Sequence, residues 1–364
     1  MMMTQASSSY AGPLAGMRVV EFAGIGPGPH VAMLLADLGA EVVRIGREGA
    51  GVSNPVVERA RHRVGVDVKS AEGKAFCLKA AANADVLIEG FRPGVMERLG
   101  LGPTELLEVN PRLVYARMTG WGQDGPLAQA AGHDINYIAI TGALAAVGRT
   151  GETATPPQNL VGDFGGGSMY CAFGIMAALF EREKSDKGQV VDAAIVDGAT
   201  SLMSFFFGSR KNPMLTTARG KGMLGGAAHF YRCYECADGR EISLGSIEPQ
   251  FYAELMAKSG MHTQLAEGQM NPANWDDYTG RLTALFKTQP AAHWVDLMEG
   301  TDICFAPVLD VDEARDHPHM KARGAYVEHD GEWHTAPAPR FDRTPGAVRS
   351  SDDNGAAVVD RWAS

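Results

Sequence analysis

The sequence predicts an α/β fold, with a Rossmann-like open parallel sheet in a large domain and a smaller α+β domain after it. Three observations carry that reading. From Met17 the chain runs as a β-rich stretch (MRVVEF), a glycine loop (AGIGPGP), a helix-spaced apolar stretch (HVAMLLADL) and a second strand (EVVRI). Two more buried strands, ADVLIEG and RLVYARMTG, follow, separated by the helical SAEGKAFCLKAAAN and by GVMERLG with TELLEVN. Beyond Gly225 the pattern changes to hairpin and helix character. Strands that alternate with helices pair in parallel through right-handed crossovers, and ligands then collect at their carboxyl ends.

Each element has a local reason. Gly39 is placed to stop the first helix as its C′ residue. A long helix is expected from about Gly166 to Glu183, and GQVVDAAIVDGATSLMSFFF supplies a further strand and helix. The irregular TTARGKGMLGG reads as a linker, and HFYRCYECADGREISLGS as a hairpin turning at Asp238-Gly239. The proline-rich TAPAPRFDRTPGAVRSS, from Thr335, reads as extended chain over a surface.

Bulk properties narrow the function. The net charge of −10 over 364 residues argues against a nucleic-acid or membrane-surface binder. Against that background a basic cluster stands out: Arg44, Arg47, Arg59, Arg61, Arg63 and Lys69. Forked guanidinium donors match the oxygens of a phosphate monoester. Five cysteines in so long a chain do not suggest a disulfide framework, and Cys233-x-x-Cys236 has no second pair at zinc-like spacing, so no metal is expected. No run approaches the ~20 apolar residues of a membrane helix. The small, polar N-terminal stretch has no signal pattern, and DRWAS is not a peroxisomal address, so a cytoplasmic protein is expected.

Four places suggest chemistry, each with another reading beside it. The loop Gly24-Ile25-Gly26-Pro27-Gly28-Pro29 follows a strand and opens a helix, but Pro29 stands where a dinucleotide loop has its third glycine. The ribose-binding acid is also missing; Arg44 and Arg47 occupy its region, which leaves a site for a 2′-phosphorylated dinucleotide open. Asp163 is either a helix N-cap or an acid–base group, and Gly165, Gly166 and Gly167 favour the second by baring N–H groups at a positive helix end. His133 is either a packed or surface side chain or a general acid–base. Glu248, just before Pro249, reads most simply as a solvated helix start.

Taken together, GMRVVEFAGIGPGPHVAMLLADLGAEVVRI, DVLIEGFRPGVMERLGLG, YARMTGWGQDGP, AGHDINY, NLVGDFGGG and GQVVDAAIVDG resemble the α-methylacyl-CoA racemases of the family III CoA-transferase superfamily, and especially their mycobacterial type. The resemblance runs from about Leu14 to Phe341. It implies an interlocked homodimer and a large domain over 14–200 completed by 335–364, with linkers at 201–224 and 319–334 around a small domain at 225–318. It also implies a 2-methylacyl-CoA thioester as substrate, with no separate cofactor. The family's catalytic residues fall on His133, Asp163 and Glu248, the last partnering the histidine. Its ligand contacts fall on Ile25, Arg47, Val66, Lys69, Arg92, Arg98, Gly132, Asp134 and Tyr137, Asp134 positioning the ligand. Where the family usually has asparagine before its basic pair, this chain has Ala60 before Arg61-His62-Arg63.

Racemisation takes a proton from one face of the α-carbon and returns one to the other. Two acid–base groups must therefore flank that carbon, and the thioester oxygen needs donors as charge develops. On this reading His133 and Asp163 are the two groups, with N–H groups near Asp163 and Gly165 as donors. Arg47, Arg61 or Arg63 and Lys69 would hold the nucleotide end of CoA. The alternative on the same fold is a CoA-transferase with Asp163 as nucleophile and no need of His133. A non-catalytic CoA-binding protein is a third possibility.

Overall fold

The computed structural model describes residues 11–49, 51, 52, 54–261 and 267–364, so the polar stretch before Ala11 lies outside the described residues. Residues up to Thr141 join Gln158–Leu202 and Lys321–Ser364 in one compact unit; Gly142–Pro157 and Met203–Met320 form a second.

The first unit is built on a six-stranded sheet. Along the chain come β1 (Arg18–Phe22), α1 (Pro27–Asp37), β2 (Glu41–Gly46), β3 (Arg61–Gly65), α2 (Ala71–Ala82) and β4 (Val86–Glu89). They are followed by α3 (Val95–Leu99), α4 (Pro103–Val109), β5 (Val114–Thr119) and α5 (Asp134–Ile140); the short α6 (Ala143–Ala146) belongs to the second unit. A π-helical segment, Leu160–Ser168, leads into α7 (Met169–Ser185), β6 (Val190–Ala194) and α8 (Ile195–Leu202). All sheet pairings are parallel, in the order β3-β2-β1-β4-β5-β6. The order reverses between β1 and β4, the place where such sheets open a crevice.

The apolar strands follow from burial on both faces. Val19, Val42, Val86 and Val114 pack with Val31 and Leu35 of α1 and with Ile175 and Leu179 of α7. On the other face Val20, Val43 and Leu87 meet Cys77 of α2 and Leu106 of α4. Gly39 ends the first helical stretch as expected: its φ is +107°, and a Cβ there would lie 2.7 Å from the Ala11 carbonyl oxygen. Ser70 caps α2, its Oγ accepting the Gly73 N–H at 2.9 Å.

One expectation changes: the helix expected from Gly166 begins earlier and as a π-helix, turning α-helical only at Met169. The proline-rich run has no helix or strand over 336–351, as expected. Before it β10 (Tyr326–His329) pairs with β11 (Glu332–Thr335), and after it Gly355–Trp362 is a helix whose Val358, Val359 and Trp362 close the core beside α2.

In the second unit β7 (Tyr231–Glu235), β8 (Glu241–Gly245) and β9 (Phe305–Pro307) form an antiparallel sheet. Its first hairpin turns at Asp238-Gly239, where Gly239 has φ +78°. Phe230, Tyr252, Trp275, Phe286 and Trp294 make its core, and Met223 is buried among them, so the glycine-rich 216–226 run is folded into this unit. Among the described residues no helix is long and apolar enough to cross a membrane.

Candidate active site

The site forms in the first unit, where the loop after β1, the start of α5 and the π-helical segment meet. His133 is the N-cap of α5, and Asn136 Oδ1 accepts its backbone N–H at 3.1 Å. The turn before it is fixed by Tyr137. A Cβ on Gly120 or Gly132 would come within 2.1 or 2.7 Å of that ring, and the Tyr137 hydroxyl donates to the Gly132 carbonyl. Trp121 meets the ring edge-on at 4.8 Å. This packing leaves His133 exposed at the rim.

Asp134, the first residue of α5, is 8% exposed. Its Oδ2 accepts the Asp163 N–H at 2.6 Å. A Cβ on Gly162 would sit 2.3 Å from that oxygen, so glycine is required where the two segments touch. Asp163 therefore sits inside the π-helix and caps nothing. Its carboxylate lies against the β1–α1 loop, with Oδ2 3.0 Å from where a Gly26 Cβ would be. Burial, and then the Asp134 charge, push the Asp163 carboxyl up to about 6, against a hydrogen bond from the Asn159 side chain and the His133 charge. A pyrophosphate at the start of α1 would meet this carboxylate, which disposes of the dinucleotide reading.

The raised value has a consequence for stability. The folded state holds this proton more tightly than the unfolded chain. The associated stabilisation is full below about 3.8 and is lost as pH rises through about 6. Asp163→Asn is therefore expected to raise Tm by roughly 1–3 °C at pH 8, allowing for partial solvent screening, and to leave it unchanged at pH 4. Thermal melts at the two pH values check this; an equal change at both would remove the titration as its cause.

Close packing gives two of the glycines after Asp163 a reason of their own. A Cβ on Gly166 would be 2.6 Å from the Ala199 nitrogen, one on Gly198 1.8 Å from the Gly166 carbonyl oxygen, and one on Gly167 3.1 Å from Ile195. Gly166 and Gly167 let the π-helix pack on α8, and the Asp163 N–H is already taken by Asp134. That N–H is not available to a thioester oxygen.

The arginine cluster divides in two. Arg61 is fully buried, its Nε donating to Glu21 Oε2 at 2.8 Å and its other nitrogens to the Arg59 and Pro29 carbonyls. Arg44 pairs with Glu21 and Glu58. Arg59 donates to Asp37 at 2.8 Å. Arg61 is thus a structural cation inside the sheet and not a ligand for CoA phosphate. Ala60, just before it, is buried with φ +58°, a left-handed conformation that asparagine adopts more readily than alanine.

Most of the remaining candidate contact residues follow the carboxyl ends of the strands. Ile25 follows β1 and is 77% exposed. Arg47 follows β2, Val66 and Lys69 follow β3, and Arg92 follows β4; only Val66 among them is buried, and Arg98 is exposed on α3. Arg63 reaches Asp353 at 2.9 Å. Glu248 belongs to the second unit, as N-cap of the helix Pro249–Ser259, where its charge acts on the Cys304 thiol. That unit has its own open cleft of 910 Å³, lined by Arg149, Glu152, Arg232, Cys233 and Cys304 among others. Of the C-x-x-C pair, Cys233 is exposed and Cys236 buried. Among the described residues no group of three or more His, Cys, Asp or Glu could hold a metal ion. Sequence reasoning missed Asn159, whose only signal is its place four residues before Asp163.

Exposed cations thus line the carboxyl edge of a parallel sheet that reverses at β1/β4, and Asp163 lies against the loop after β1. The chain belongs to CoA-transferase family III, whose sequence model matches residues 14–352. It is 43% identical over 342 residues to the α-methylacyl-CoA racemase of Mus musculus, covering 93% of this chain and 89% of that one. With the enzyme of that name from Homo sapiens the identity is 41% over 333 residues, covering 91% and 87%. In fold it matches the crystal structure of a CAIB/BAIF family protein from Brucella suis with a TM-score of 0.82 over 97% of this chain and all of that one, at 23% identity.

Proposed function

We propose that the protein is an isomerase that inverts the α-carbon of 2-methylacyl-CoA thioesters by 1,1-proton transfer. The observation that carries this is that the bond from the Asp163 N–H to Asp134, the neighbour of His133, holds the two segments together, with the Asp163 carboxyl raised by burial to about 6, where it both accepts and donates a proton close to neutral pH. The sequence similarity to racemases of two mammals supports the substrate class.

In the reaction one group removes the α-proton, and the electron pair moves into the C–C(O) bond to give an enolate. The other group, protonated, delivers a proton to the opposite face. His133 and Asp163 exchange these roles with the direction of inversion. The Asp163 N–H is engaged by Asp134, and those of Asn136 and Tyr137 by the His133 carbonyl, so the enolate oxygen falls to the Asp134 and Ile135 N–H groups at the start of α5. Arg47, Lys69, Arg92 and Arg98 hold the nucleotide end of CoA along the sheet edge, with Ile25, Val66, Gly132 and Tyr137 shaping the path to the reacting carbon. Two further parts of the reading rest on the family resemblance: an interlocked homodimer, and Glu248 as the residue that orients the His133 imidazole. Five free thiols suit the reducing cytoplasm as its compartment.

The test is incubation of (R)-2-methylacyl-CoA with the protein in D₂O and no acceptor acid. Deuterium at C2 should accumulate together with the (S) isomer. Turnover that appears only when a free carboxylate is supplied would instead make the protein a CoA-transferase, with Asp163 as nucleophile.

A further inference from the structure

Asp134 is the buried charged group nearest the reacting pair that the proton transfer itself does not use. Its place is over-determined. One oxygen holds the Asp163 N–H at 2.6 Å, and Gly162 lacks the side chain that would fill the space at that oxygen. The other oxygen, Oδ1, is buried with no hydrogen-bond partner. An acidic side chain brought this close to a second carboxylate, with one oxygen unneutralised, acts on it through low-dielectric surroundings.

The groups around Asp163 are few. α5 presents Asp134, His133 and the Tyr137 phenol, the last feeling the Asp163 charge itself. The π-helix adds the neutral Asn159. α1 meets the carboxylate with the Gly26 backbone, and α8 packs on the segment through Gly198 and Ala199. Of the two ionisable groups whose charge reaches Asp163, Asp134 favours the protonated form and His133 the ionised one.

We propose that Asp134 is a positioning residue for Asp163: one oxygen anchors the backbone of the π-turn, and the buried, unpartnered second oxygen sets the electrostatic surroundings of the Asp163 carboxyl. This rests on the racemase reading for its purpose, but not for its measurement. A mobile proton on Asp163 is what allows the same group to be acid in one direction and base in the other.

The experiment is ¹³C NMR titration of protein labelled at the aspartate carboxyl carbon, with the Asp163 signal assigned by its loss in Asp163→Asn. Asp134→Asn can still accept the N–H but has no charge. It is expected to lower the Asp163 midpoint by about one pH unit and to move the acid limb of the exchange-rate profile by the same amount. Asp134→Ser serves as the second variant should the first not fold, since it also removes the charge and its hydroxyl can accept the N–H. An Asp163 midpoint unchanged in the folded variant overturns the proposal. A shifted midpoint in a protein whose wild type exchanges no α-proton supports the Asp134–Asp163 coupling and overturns the racemase reading instead.

Discussion

Alanine at Asp163 is expected to abolish net inversion of 2-methylacyl-CoA while leaving slow deuterium exchange from the enantiomer that His133 deprotonates; His133→Ala should show the mirror pattern. Acid–base groups contribute roughly 10²- to 10⁴-fold each, so both variants should fall by factors in that range for the face they lose. Glu248→Gln should give a milder form of the His133 result through a less well oriented imidazole. Each enantiomer is incubated separately in D₂O, and loss of the C2 proton is followed by NMR over long times. Complete and equal loss from both enantiomers in His133→Ala, with CoA binding intact, would point to one mobile base in place of two.

The second large effect is on folding. Glu21→Ala is expected to destabilise the first unit by about 3–5 kcal/mol, because it strips the carboxylate from the fully buried Arg61 and leaves Arg44 to Glu58. Arg47→Ala, at an exposed position, should change stability by no more than ~0.5 kcal/mol. Urea unfolding followed by amide exchange in β1, β2 and β3 separates the two. A loss below about 1 kcal/mol for Glu21→Ala would mean that the arginines find other partners or water.

The basic cluster shows where sequence reasoning stops. Arginines in a sequence carry charge but not address. Arg44 and Arg61 read as a phosphate site until β1 places Glu21 beside them. A clue was present, since Glu21 interrupts the apolar run MRVVEF, and an acid in a strand buried on both faces demands a cation. The β1–α1–β2 unit was legible for the opposite reason: apolar spacing and a glycine stop are local signals. His133 and Asp163 read as a pair only through the family strings. The contact between Asp134 and the Asp163 N–H joins residues 29 apart, and no local pattern encodes it. The helix Gly355–Trp362 was hidden by the proline-rich run before it, although Val358, Val359 and Trp362 have helical spacing.

The π-helix around Asp163 places a constraint of length on evolution. Each residue of an ordinary helix turns the chain by about 100°. Adding or deleting one residue within Leu160–Ser168 would let the segment relax toward regular winding and swing the carboxylate away from Gly26. A point change at its exposed residue, Leu160, leaves that registration alone. Lineages of this fold should therefore keep the segment's residue count, with freedom of composition confined to its exposed start at Leu160.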